Sequence, residues 1–288
     1  MSPRNPQKQR NALSQSVRYI FMKHLFALVL VAAMPFAKAE IPPNDVKRLV
    51  EASRLDLRVL SFRLTVSETN NRIARGMPTQ KLADIFRGFA GKIDVKTIYQ
   101  KAVSELASEL EPQQLKPLMQ CFSSDFMHQY HVAQYQRLTR EGAQAFRDQL
   151  VPLDLGITEP DPARMAQLDA LQVEKRNPEI WKDVTRQMFW LINLDVSAKY
   201  PKLGRDKESM DAFFSNPDFE QMSDESHSYG KLVTYVMMKS LDDDQLEDLL
   251  SCFATPEMAA YDDITTVALR DYLVEAEASW VATKENAL

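Results

Sequence analysis

Apolar side chains recur at intervals of three and four residues along most of the chain, the spacing of one face of an α-helix. Near the C-terminus, Leu246, Leu249, Leu250 and Phe253 stand at i, i+3, i+4 and i+7. Asp242, Asp243 and Asp244 precede them, placing acids where the helix backbone dipole is positive. Thr255-Pro256-Glu257 then restarts the chain, with Thr suited to an N-cap and Pro to the first helical position. Met258, Tyr261, Ile264, Ala268, Leu269, Tyr272 and Leu273 continue at helical spacing, so the segment predicts two helices joined by a very short turn.

The same pattern occurs earlier. Leu115, Leu118, Met119 and Phe122 form a stripe, Ser124 takes the capping place, and Met127, Tyr130 and Leu138 follow. Pro112 suits a helix start, whereas Pro117 is expected to delay or kink that helix. Residues 110–130 and 241–261 both fit L-x3-Q-L-x2-L-x2-C-F-x4-M-x2-Y, which reads as one supersecondary unit used twice. A fainter similarity links residues 46–56 with 165–175. With only seven glycines and no long alternating Val/Ile/Thr run, the chain predicts an all-α fold. The expected architecture is a helical bundle built from two tandem related αα-hairpin units. They span 40–150 and 164–288, with a Pro-rich linker over 151–163. Residues 180–194 become apolar all round near Met188–Ile192, which predicts a centrally buried helix. The stretch from Pro201 to Gly230 is polar and interrupted by Pro217, which predicts short helices and loops.

The N-terminus changes the picture of where the chain works. Arg4, Lys8, Arg10, Arg18 and Lys23 precede an apolar run from Leu25 to Ala33, and Ala37-Lys38-Ala39 offers a small-residue cleavage site. That order is the pattern of a secretory signal peptide over residues 1–39, cleaved after Ala39. Met22-Lys23 would begin a compact signal by itself and is an alternative start. The apolar run is shorter than the roughly 18 residues that suggest a spanning helix, and no later segment is longer. The expected location is therefore periplasmic or secreted, with no stable membrane span once the signal is removed. The whole chain carries a net charge of −5, and six basic residues and no acidic one fall within 1–39. The remainder is more acidic still, at −11. Nucleic-acid binding is excluded on that balance, because affinity for phosphates comes largely from Lys and Arg.

The hairpin resembles an uncharacterised helical family of exported bacterial proteins, a domain of unknown function. Its hairpin reads roughly acidic-x-x-E/Q-L-x-x-L-x-x-F-[YF]-x-[ST]-P-x-G. Asp243-Asp244-Gln245-Leu246, Leu249 and Cys252-Phe253-Ala254-Thr255-Pro256-Glu257 look like it, about 30 residues in each copy. This chain departs from the pattern with Cys252 at the first aromatic, Met258 at the glycine and Asp125 at the proline of the first copy. The resemblance implies export and a helical fold, and no activity or site residues.

Candidate chemistry is sparse. Cys121 and Cys252 hold the same place in the two copies. An even count in an exported chain suggests one disulfide, and two small residues buried in matching cores is the other reading. Asp125, His128 and His131 share a helical face, but a structural zinc site wants four ligands and the second copy lacks them, so no metal is expected. No G-x-S-x-G, C-x-x-C, P-loop or G-x-G-x-x-G pattern occurs, so neither a cofactor nor an enzyme is predicted. Trp181, Met188, Phe189, Trp190, Phe213, Phe214 and Phe219 suit a core or an apolar ligand pocket. Phe213, Phe214 and Phe219 also make a candidate interaction patch if exposed. The leading expectation is a non-enzymatic envelope accessory protein that docks unidentified envelope partners. A carrier of an apolar small molecule or lipid between helices is second, and a hydrolase third.

Overall fold

A computed structural model describes residues 41–168 and 178–285. The signal-like segment, with both of its candidate starts, lies outside the described residues, as does most of the second short helix opening over 165–175. Among the described residues there are α-helices and a single 3-10 turn, and no strand. The all-α bundle expected from the periodicity is what the chain adopts.

The helices are α1 (Pro43–Ala52), α2 (Leu55–Arg75), α3 (Gln80–Phe89), α4 (Val95–Glu109), α5 (Pro112–Phe122), α6 (Asp125–Leu138) and α7 (Arg140–Asp154). The second half holds α8 (Pro162–Leu168), α9 (Pro178–Lys199), α10 (Lys207–Phe214), α11 (Pro217–Met238), α12 (Asp243–Phe253) and α13 (Pro256–Glu285). The described residues belong to one compact unit. The main apolar core runs through both halves of the chain, from Ile41 to Leu273, with smaller clusters around Phe146 and Phe214. Long α13 packs along α4 from the first half and α9 from the second, and α12 packs on α6.

The motif residues account for the hairpins position by position. Its glutamine closes a capping box: Gln245 Oε1 accepts from the Asp242 N–H at 3.1 Å, and Gln114 Oε1 accepts from the Glu111 N–H at 2.9 Å. At the turn, the Ser124 and Thr255 hydroxyls donate to the carbonyls of Cys121 and Cys252 at 2.7 and 2.9 Å. The same hydroxyls accept from the N–H groups of Met127 and Met258. Met127 and Met258 themselves are fully buried.

Three local expectations are corrected. Pro217 starts a helix instead of breaking one: α11 runs unbroken for 22 residues through Gly230, because proline at the first helical position has no N–H to leave unpaired. The linker begins later than its composition suggests, since α7 continues through Pro152 to Asp154. That helix ends where Gly156 adopts φ +66° and the Ile157 N–H reaches back to the Pro152 carbonyl at 2.8 Å, a Schellman closure. Pro117 does not delay α5, which starts at Pro112 and carries Pro117 inside it. The central helix meets its expectation in part: in α9, Val184, Leu191 and Ile192 are buried, while Met188, Phe189 and Trp190 are half-buried.

Candidate functional site

The bundle does not close on itself. A cavity of about 610 Å³ runs between α2, α6, α9, α11 and α13. Interiors at ordinary packing density hold few voids larger than a water molecule, so a space of this size is a feature of the fold. Its volume falls within the ~300–1,000 Å³ typical of small-molecule sites.

Both copies of the motif build one wall. Phe122, Met127 and Tyr130 line the cavity from the first copy, and Phe253, Met258 and Tyr261 from the second. Their rings cross between copies. Phe122 meets Tyr261 edge-on at 5.0 Å, and Phe253 meets Tyr130 edge-on at 6.0 Å, each within the range of favourable aromatic pairs. Cys121 and Cys252, one residue before each Phe, stand at disulfide distance with Cα atoms 5.8 Å apart. The cysteine pair therefore sits directly behind the crossed rings.

A second wall is α2. Val59, Phe62, Val66 and Ile73 present apolar surface, while Arg58, Ser61, Thr65, Thr69 and Arg72 run beside them at three- and four-residue steps. The cavity-lining arginines, Arg58 and Arg72 from α2 and Arg137 from α6, each have a carboxylate partner. Arg58 reaches Asp262 on α13 at 2.5 Å, and that carboxylate is 1% exposed. Burial works against the Arg58 charge, and Asp262 and Tyr261 more than offset it, so its pKa lies above the ordinary value. Arg72 pairs with Asp154 at 3.4 Å and lies over the Tyr229 ring. Arg137, 3% exposed, pairs with Glu68, donates to Thr65 Oγ1 and stacks on Phe146.

Burial holds His131, Tyr261 and Tyr229 on the wall neutral. Burial, reinforced by the nearby Arg54 charge, lowers His131 to about 4. Desolvation pushes the Tyr261 phenol up to about 12, and its hydroxyl donates to Ser53 Oγ at 2.8 Å. Tyr229 is likewise raised to about 12 by burial, with Glu68 adding to the effect. Against these satisfied groups stand buried donors with no protein partner: Asn70 Nδ2, Trp181 Nε1, Ser61 Oγ and Arg137 Nε, all on cavity-lining residues.

The residues singled out from sequence fall in three places. Trp181, Met188, Phe189 and Phe219 line the cavity. Phe213, Phe214 and Phe219 do not form an exposed patch. Phe214 and Phe219 are buried, and the three rings pack on one another and on Phe189 with centroids 5.1–6.3 Å apart. α10 and the first turn of α11 fold those rings inward, where they give more by mutual burial than by exposure. Asp125 and His128 are exposed while His131 is buried, so the three do not converge. Among the described residues no group of His, Cys, Asp or Glu gathers as a metal site would require.

The polar seam of α2 was not singled out from sequence, although a signal exists. Arg58, Ser61, Thr65, Thr69 and Arg72 hold the helical spacing that a core-facing stripe of apolar residues would hold. No known protein family, curated protein or solved structure matches this chain.

Proposed function

We propose that this chain is an exported binding protein that carries an apolar small molecule or lipid between its helices. The observation that carries the reading is the cavity of about 610 Å³. Its wall is mostly apolar, with Val59, Phe62, Val66, Ile73, Met188 and Phe189 among the lining residues, which supports an apolar occupant, while the arginines, serines and threonines beside them give it a polar seam. Export is favoured by the signal-like leader and by a cysteine pair at bonding distance, since disulfides persist in oxidising compartments. Among the described residues no helix is long and apolar enough to cross a membrane. The carrier reading replaces the docking module as the leading one, because the aromatic cluster proposed for docking is packed inside.

The test is direct. The chain, expressed with its own leader and purified from the envelope without detergent, is extracted into organic solvent and analysed by mass spectrometry. One ligand class at near-stoichiometric yield is expected. Protein that yields no extractable molecule, and that also fails to saturate with the neutral fluorophore N-phenyl-1-naphthylamine, would end the carrier reading.

A further inference from the structure

We infer that the occupant is an anionic amphiphile, an acyl chain ending in a carboxylate, and that Arg58 holds its head. The inference rests on the carrier reading and narrows it to a chemical class.

The sign of the wall comes first. The chain as a whole holds more acids than bases, 40 Asp and Glu against 35 Lys and Arg. Among the described residues, the cavity wall reverses that balance, with Arg58, Arg72 and Arg137 and no Asp, Glu or Lys. The carboxylates that pair with these arginines, on Asp262, Asp154 and Glu68, are not part of the wall. Asp262 is almost fully buried behind Arg58. The pair therefore turns its positive end toward the cavity. An anion inside approaches the guanidinium more closely than the carboxylate behind it. Coulomb energy falls inversely with distance, so the attraction exceeds the repulsion. A cation meets the opposite order.

The position of the head comes second. Arg137 spends Nη1 and Nη2 on Thr65 and Glu68, and its Nε is sealed, so it contributes charge and no bond to an occupant. Arg58 gives Nη1 to Asp262, and a guanidinium carries five N–H donors. It lies deep in the bundle over the Tyr261 ring, yet 29% of its side chain is accessible, and the space it borders is the cavity. Arg72 stands 14 residues further along α2, about 21 Å at ~1.5 Å rise per residue. It is the more exposed of the two, at 41%, and an ion pair in a wetter setting is worth less. Between them Phe62 and Val66 offer an apolar track for the chain of an amphiphile whose head rests on Arg58.

Displacement of N-phenyl-1-naphthylamine from the delipidated full chain at pH 8 reads the preference. The competitors are laurate, methyl laurate and dodecylammonium, which share a chain and differ in the charge of the head. Methyl laurate is the most apolar of the three, so hydrophobic transfer alone ranks it first. Laurate should instead compete most strongly, by about tenfold over the ester, the scale of one hydrogen bond to a charged group. Dodecylammonium should be weaker than laurate. This ranking needs no variant and decides the class by itself. Arg58→Gln alone would strand the buried Asp262 carboxylate, so it is combined with Asp262→Asn. In that double variant, at unchanged helicity by circular dichroism, the laurate-to-ester ratio should fall toward one or below. Laurate no stronger than the ester, dodecylammonium as strong as laurate, or a ratio unchanged in the double variant would each overturn the inference while leaving the cavity occupied. Failure of the fluorophore itself to bind the native chain would instead remove the carrier reading beneath it.

Discussion

At the scale of single residues, His131 shows how the cavity wall treats charge. In the unfolded chain its imidazole takes up a proton near the ordinary value of 6.5, and in the folded chain only near 4. Between those values the unfolded state holds the extra proton, so stability falls as pH drops from 6.5 toward 4 and this group contributes no further change below that. Above pH 7 it is neutral in both states and contributes nothing. The loss is on the order of 2 kcal/mol once solvent screening is allowed for. Urea denaturation at pH 7 and pH 4.5 should therefore show a smaller decline in His131→Gln than in the native chain. Equal declines would mean that the ring protonates as easily folded as unfolded. Arg54 and His128 act in the same direction as burial, and Asp56 opposes them, so the difference between the two proteins isolates the ring itself.

At the scale of elements, the hairpin turns depend on very few atoms. The Thr255 hydroxyl accepts from the Met258 N–H at 3.2 Å while donating back to Cys252, and Ser124 does the same for Met127. Thr255→Ala and Ser124→Ala should each cost about 1 kcal/mol, the usual worth of a cap. Thermal denaturation of both should show similar losses. A loss at one site and none at the other would show that the two turns depend on their caps differently. These turns were legible because caps and stripes are local: Thr255, Pro256 and the spacing of Leu246 to Phe253 act within one or two helical turns. Pro217 misled for the same reason, since proline either breaks a helix or begins one, and its neighbours alone do not say which. The cavity was legible only in part: Trp181, Met188, Phe189 and Phe219 suited a pocket as well as a core, and which of the two they form depends on where helices fail to meet. The polar residues of α2 announced only that one face was not plain core. Phe213 and Phe214 suited a core, a pocket or, if exposed, a patch; the choice is made by their packing beside Phe189 and Trp190 of α9, which lies outside that stretch of sequence.

At the scale of the whole molecule, Cys121 and Cys252 bring the two halves of the chain to disulfide distance at the wall of its cavity. Oxidised, Cys121 and Cys252 close a loop of 131 residues. On the chain-entropy account such a loop stabilises the fold by roughly 4–5 kcal/mol, because the unfolded chain loses the freedom to separate its ends. The pair does a second thing by position. Phe122 and Phe253 follow it directly, and each packs against the tyrosine of the other copy, so holding the sulfurs together also holds the crossed rings that form the wall. Thiol titration of protein purified from the envelope and unfolded without reductant should find no free cysteine. Cys121→Ser with Cys252→Ser should lower stability by about 4 kcal/mol in urea. The same double variant should release N-phenyl-1-naphthylamine faster in stopped-flow dilution, since the wall can then part between α5 and α12. Two titratable thiols in the native protein would remove the covalent link. A double variant that is less stable but releases the fluorophore at the native rate would leave the bridge as a stabiliser of the chain and no part of the cavity's gate.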